Sequence, residues 1–318
     1  MSGNGLAAVS KSADSKTAVS NSASRGAGGP LRIGIIGGSG LYEMEGLQDV
    51  REERVETPFG SPSDAFIIGR LADVEGVELV FLPRHGRGHR LNPSEVNYRA
   101  NVFGMKLLGV SWILSVSAVG SLKEEIVPGH VVIIDQFIDR THKRASTFFE
   151  GGIVAHVAFG DPVCPTLRTF ILEAARSTAA VVHDGGTYVC MEGPQFSSKA
   201  ESLLHRSWGA SVIGMTNLPE AKLAREAEIS YATLAMATDY DCWHPDHDHV
   251  TVDQVVGVLL ANVALAKSII RAVIPKIAAH PGPAPMSTAL ANAIMTNRAV
   301  IPAERASALA PLIGKYLG

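Results

Sequence analysis

The chain has 318 residues, 46% hydrophobic and 19% charged, with material for one large α/β domain or two ordinary ones. A formal net charge of -3 and a pI near 6.4 supply no electrostatic pull toward nucleic acid or anionic membrane, and no basic run is interleaved with aromatics. No apolar stretch reaches the roughly 20 residues that span a bilayer.

Residues 1–30 are rich in Ser, Ala and Gly and lack the continuous apolar core of a secretory signal, so a flexible N-terminal extension is expected there. Order is expected from "LRIGIIGGSGLY", an apolar strand running into glycines. "DAFIIGRL" and "VELVFLP" read as strands separated by a turn at Glu75 and Gly76, and "EVNYRANVFGMKLLG" has helical spacing ending on Gly109. "VSWILSVSAVGS" and "GHVVIIDQFID" are near-continuous apolar strands, the pattern of a sheet covered on both faces. "PTLRTFILEAARSTA" is an amphipathic helix, "GTYVCMEG" a strand, "SKAESLLHRSWG" a helix and "ASVIGMT" a strand. "LPEAKLAREAE" follows as a helix of mixed acids and bases, then the strand "ISYATLAMAT" and the long apolar helix "TVDQVVGVLLANVALAKSIIRAVI". This alternation predicts a single α/β domain over residues 31–278, with a central sheet flanked by helices, and a short helical tail over 279–318. Cys164, Cys190 and Cys242 are too few and scattered for a disulfide framework or a structural zinc site. Reduced, mostly buried thiols in a cytoplasmic protein are expected.

Five segments carry residues suited to chemistry. The loop Gly37-Gly38-Ser39-Gly40 lets backbone N–H groups approach an anion, with the Ser39 hydroxyl as a further donor. The third glycine of the dinucleotide fingerprint is replaced by Glu43 and there is no Lys-Ser/Thr pair, so a phosphate suits this loop better than a dinucleotide or triphosphate; a plain tight turn is the alternative. "LPRHGRGHRLNPSEVNY" gathers Arg84, His85, Arg87, His89 and Arg90 within seven residues, a set able to hold a compact oxyanion or to form a solvated basic loop. In "SVSAVGSL", Ser117 and the next amide can add donors to the same anion. In "MEGPQFSSKAES", Glu192 meets a turn, Phe196 offers a flat apolar wall, and one of Ser197 and Ser198 serves as a helix cap.

The most pointed segment is "AMATDYDCWHPDHDHV". Residues two apart on an extended strand share a side, so Asp239 and Asp241 are expected to face one small volume and to raise one another's pKa. That suits one of them to hold or deliver a proton near neutrality. His244, His247 and His249 with Asp246 and Asp248 read as a polar surface loop rather than a metal site.

Seven blocks, "GIIGGSGLY", "TPFGSPSD", "RHGRGHRLNPSEVNYRAN", "DQFIDRT", "EGPQFSSKAES", "GMTNLPEAKLARE" and "MATDYDCW", stand in the order found in the 5'-methylthioadenosine phosphorylases of the purine nucleoside phosphorylase superfamily, which the chain resembles over about residues 32–274. The resemblance implies a nucleoside phosphorylase domain over 31–278, a twisted mixed sheet, and reversible phosphorolysis of 5'-methylthioadenosine without metal or organic cofactor, inorganic phosphate being a co-substrate. It also implies a homotrimer with sites near subunit interfaces. By resemblance, Ser39, Arg84, His85, Ser117, Ala118 and Thr216 form the phosphate shell and Met215 lies against the ribose. Asp239 and Asp241, with Tyr240 between them, read the purine, Asp239 at N7. Ser197, Val252, Val255 and Val256 surround the base and the 5'-methylthio group, where the flat wall of Phe196 would also serve, and His156 is lent by a neighbouring subunit. Ser39 and Ser117 stand where mammalian members have threonine, which keeps the hydroxyl.

The residue types fit that chemistry. Leaving adenine gathers negative charge, which a protonated Asp239 neutralises at N7, while the anchored phosphate faces the positive sugar. A carboxyl also accepts from a 6-amino group, whereas a 6-oxopurine presents an acceptor there. The alternative substrate, a 6-oxopurine nucleoside or methylthioinosine, would be favoured by asparagine at 239. The three valines share one helix face, suited to a thioether or to ordinary core packing.

Overall fold

The computed structural model describes residues 29–38, 40–245 and 252–318, with the side chains of 252–257 and 259–261 left out. The extension expected over 1–30 thus lies almost wholly outside the described residues, as do Ser39 and residues 246–251 of the His/Asp loop.

One mixed sheet organises these residues. Its strands are β1 (Leu31–Gly37), β2 (Leu47–Glu53), β3 (Phe66–Leu71), β4 (Val77–Pro83), β5 (Val110–Ser121), β6 (Val131–Ile133), β7 (Gln136–Arg140), β8 (Val182–Asp184), β9 (Thr187–Met191), β10 (Val212–Gly214) and β11 (Ser230–Asp239). The order is β2-β3-β4-β1-β5-β10-β9-β7, and a branch runs from β5 through β11 and β6 to β8. The helices are α1 (Tyr98–Leu107), α2 (Pro165–Arg176), α3 (Lys199–Ser207), α4 (Asn217–Glu226), α5 (Val252–Ala278), α6 (Ala303–Ala308) and α7 (Ala310–Leu317).

β5 is the axis of the sheet. Its alternating residues feed two cores, Trp112, Leu114 and Val116 on one face and Ile113 and Val119 on the other. Burial on both faces explains its unbroken apolar run. β11 lies parallel to β5, while the far end of β5 pairs antiparallel with β10, so the sheet forks where β5 ends. That fork opens the crevice in which the candidate residues meet, at the carboxyl ends of the strands.

Two expectations are amended, and one helix buries its charges. "GHVVIIDQFID" is not one strand: it breaks after Ile133, β6 joining β11 and β8 while β7 moves to the far edge beside β9. The "LPEAKLAREAE" helix keeps its mixed charges inside: Glu220, Arg225 and Glu226 are all buried and each finds an internal partner. Residues 285–293 form turns, not helix, and the tail packs Leu290, Ala293, Leu309, Leu312 and Ile313 into the core beneath α1 and α4.

Candidate active site

The anion side is built where β1, β4 and β5 end. The Arg84 N–H donates to Gly37 O at 2.9 Å, which sets Arg84 beside the glycine loop. Its side chain is 3% exposed and pairs with Glu220 of α4, Nε to Oε2 at 2.7 Å and Nη2 to Oε1 at 2.9 Å. Nη2 also reaches Ser115 Oγ at 2.7 Å, and Nη1 donates to Val116 O at 3.1 Å. Burial works against the charge on Arg84, but the Glu220 carboxylate overrides it and raises the pKa. Ser115 and Asn217 complete the net, with Tyr231 donating to Glu220 at 2.9 Å. Nη1 has two hydrogens and this net claims one, so among the described residues at most one Arg84 donor is left for an anion, not a free fork.

The basic loop divides. Arg87 turns outward to Glu52 and Asp64, and Arg90 reaches Ser63 O, so neither joins Arg84. His85 stays near it. Burial first, then the Arg84 charge, lowers its pKa to about 4. Its Nδ1 lies 2.9 Å from Leu91 O, and because a carbonyl only accepts, Nδ1 carries the hydrogen and the neutral ring presents a bare Nε2. Ser117 is buried with its Oγ 3.1 Å from the Tyr188 hydroxyl, and Ala118 is half-buried beside it. Thr216 is the N-cap residue of α4 but makes no side-chain cap bond, which leaves its hydroxyl uncommitted at a helix N-terminus.

On the purine side, β11 shifts register against β5 between Ala237 and Asp239, so Asp239 pairs with Gly120. A bulge of this kind re-aims a side chain at a strand end. Asp241 then takes φ +52 and its N–H donates to Asp239 Oδ1 at 2.7 Å. The two carboxyls do share a volume, but a turn brings them there and not strand alternation. A Cβ on Gly120 would lie 2.9 Å from Asp239 Oδ1 and 3.3 Å from the Asp241 Cβ, so only glycine leaves them room.

Burial, ahead of any other cause, raises Asp239 from 3.8 to about 6 against hydrogen bonds from Thr238 Oγ1 and the Asp241 amide. The Asp241 charge is the smallest contribution, so the expected mutual repulsion is secondary to desolvation. Asp241 is raised for the same reason, and its buried Oδ2 has no hydrogen-bond partner among the described residues, although Ser197 and Ser202 stand close. Gly120 and Ser117 are three residues apart on β5, roughly 10 Å by the strand rise, so both sides can address one small ligand pair.

The remaining positions vary. Met215 crosses Gly193, where a Cβ would sit 2.6 Å from its sulfur. Phe196 is 42% exposed, and Ser197 accepts a contact from Cys242 Sγ at 3.2 Å through its carbonyl, while Ser198 is the helix cap, sharing a capping box with Glu201. Tyr240 points away from the acids into a cluster with Leu122, Ile213 and Trp243. Val252, Val255 and Val256 open α5, but their side chains lie outside the described residues. His156 is exposed, anchored by its N–H to Ala293 O at 2.8 Å.

Glu220, Tyr188, Thr238 and Arg144 escaped the sequence reading. Arg144 holds Glu192 and the carbonyls of Met215 and Leu218, fixing the Met215–Thr216 turn. Glu192, bonded also by Ser94 and two backbone amides, is lowered to about 2 despite its burial and is a structural hub.

A family model described as the phosphorylase superfamily matches residues 32–275. The chain belongs to the phosphorylase superfamily. Among relatives in this superfamily, the S-methyl-5'-thioadenosine phosphorylase of Geobacter sulfurreducens is 62% identical over 90% of this chain and 99% of its own. That of Koribacter versatilis is 60% identical over 90% and 97%. A crystal structure of a methylthioadenosine phosphorylase from an antarctic soil metagenomic library superposes with a TM-score of 0.84 at 48% identity, covering 89% of this chain and 99% of the other. The Schistosoma mansoni methylthioadenosine phosphorylase in complex with adenine gives 0.74 at 39% identity, over 79% and 93%. No helix among the described residues is long and apolar enough to cross a membrane.

Proposed function

We propose that this protein catalyses the reversible phosphorolysis of 5'-methylthioadenosine to adenine and 5-methylthioribose 1-phosphate. The observation that carries the proposal is a pair of desolvated carboxyls, Asp239 and Asp241, in the same crevice as the donors of Arg84, Ser117 and Thr216, which suit an anion, with the neutral His85 placed to accept from a phosphate hydroxyl. A phosphate oxygen forms the new bond to C1' as the C1'–N9 bond breaks and its electron pair passes into the purine. Asp239 gives its proton to N7, and Asp241 accepts from the 6-amino group. Ser39 and Ala118 complete the phosphate shell and Met215 lies against the ribose. Phe196, Ser197 and the opening turns of α5 at Val252, Val255 and Val256 enclose the base and the 5' group. Inorganic phosphate is the co-substrate, and the proposal calls on no other cofactor.

The cytoplasm and a homotrimer belong to the same proposal, with His156 contributed across the subunit interface. The exposed Val154 and Met295, beside the bridge that ties Ala155 to Ile294, support an interface there. The test is phosphate-dependent release of free base from methylthioadenosine, adenosine and methylthioinosine side by side. Methylthioadenosine is expected to be the preferred substrate; equal rates on all three, or preference for methylthioinosine, would overturn the assignment.

A further inference from the structure

Tyr188 lies on β9, three strands over from β11 and its Asp pair, and takes no part in the reaction above. Its ring is fully buried against Phe137, centroids 5.6 Å apart, and its hydroxyl passes beneath β10 to reach Ser117 Oγ at 3.1 Å. The passage depends on Gly214, because any Cβ at that position would run into the tyrosine hydroxyl. The Thr216 backbone acts on the same oxygen. One buried hydroxyl therefore touches two of the residues assigned to the anion.

A hydroxyl carries one hydrogen and can accept two. The Ser117 hydrogen can point to the Tyr188 oxygen or make a long contact to Ala118 O, 3.3 Å. When an anion takes that hydrogen, the oxygen of Ser117 must act as acceptor toward its other neighbour, and that neighbour is the Tyr188 hydroxyl. Chained donors polarise one another.

We propose that Tyr188 is a positioning residue for the phosphate site: its hydroxyl donates to Ser117 Oγ and so turns the Ser117 hydrogen outward to the anion. This rests on the assignment of Ser117 to phosphate. The burial that keeps Tyr188 protonated, its pKa raised by desolvation, makes it a donor at every working pH.

The test compares Tyr188→Phe, Ser117→Ala, Ser117→Thr and the two double variants, with KM measured separately for phosphate and for methylthioadenosine. Tyr188→Phe keeps the ring and removes one neutral hydrogen bond, so the phosphate KM is expected to rise roughly fivefold, with the nucleoside KM steady. The rise should vanish in the Ser117→Ala background and return in Ser117→Thr, which keeps a hydroxyl. An equal rise in both KM values, the same rise in Ser117→Ala, or no rise at all overturns the relay. If Tyr188→Phe does not fold, Gly214→Ala, which displaces the hydroxyl, carries the same comparison. A Ser117→Ala enzyme with unchanged phosphate KM removes Ser117 from the phosphate and the relay with it, yet leaves the reaction standing. Absence of phosphate dependence in the parent enzyme is the separate result that would remove the reaction itself.

Discussion

The two sides of the crevice bury charge in opposite ways. On the anion side Arg84 and Glu220 are almost completely enclosed and joined by two hydrogen bonds, the carboxylate raising the Arg84 pKa, with Ser115 and Tyr231 satisfying what is left. On the purine side Asp239 and Asp241 are buried beside Thr238, neighbouring serines, an amide and the His205 imidazole, with no Lys or Arg paired to them among the described residues, and both pKa values rise. The same loss of water thus fixes a charge where a counter-ion is supplied and retains a proton where none is. A phosphorylase needs both outcomes within one ligand's length: a permanent positive edge for phosphate and a transferable proton for the departing base.

Breaking the paired side should cost most. Arg84→Ala leaves Glu220 buried and uncompensated, and denaturant unfolding should register a loss of about 3–5 kcal/mol. Asp239→Asn removes only the transferable proton. Adenine release from methylthioadenosine should slow by about 10²–10⁴-fold with the fold intact.

The pH dependence of stability sharpens the same contrast. Because Asp239 is raised from 3.8 to about 6 in the folded protein, the folded state binds more protons between those values. Its contribution to stability is therefore full below 3.8 and declines as pH climbs through about 6. Melting temperatures of the parent should fall relative to Asp239→Asn across that window. The smallest effect belongs to Thr238→Val. Loss of the 2.7 Å bond that favours the Asp239 carboxylate should move the Asp239 limb of kcat/KM to higher pH, read from the rate profile.

The chain announced its elements through periodicity and its site through short polar insertions in apolar runs. β1, β5 and β11 were plain because burial on both faces leaves a continuous apolar signal, and Asp239, Ser117 and Arg84 stood out because each interrupts or ends such a run. Glu220 was hidden because its helix looks amphipathic; a charge neutralised from 136 positions away leaves no local trace. Tyr188 was hidden because a tyrosine in a strand usually packs, and nothing near it in sequence marks the serine its hydroxyl meets. The split of "GHVVIIDQFID" into β6 and β7 is a choice of strand partners, which periodicity does not encode.

The protonation of Asp239 can be watched directly by infrared difference spectroscopy of the parent against Asp239→Asn, following the carboxylic acid carbonyl band through a pH titration. A band that persists well above pH 5 and fades with a midpoint near 6 is the expected result. A carboxylate already ionised with a midpoint near 3.8, its ordinary value, would contradict the assignment of a buried acid that carries the proton to the leaving purine.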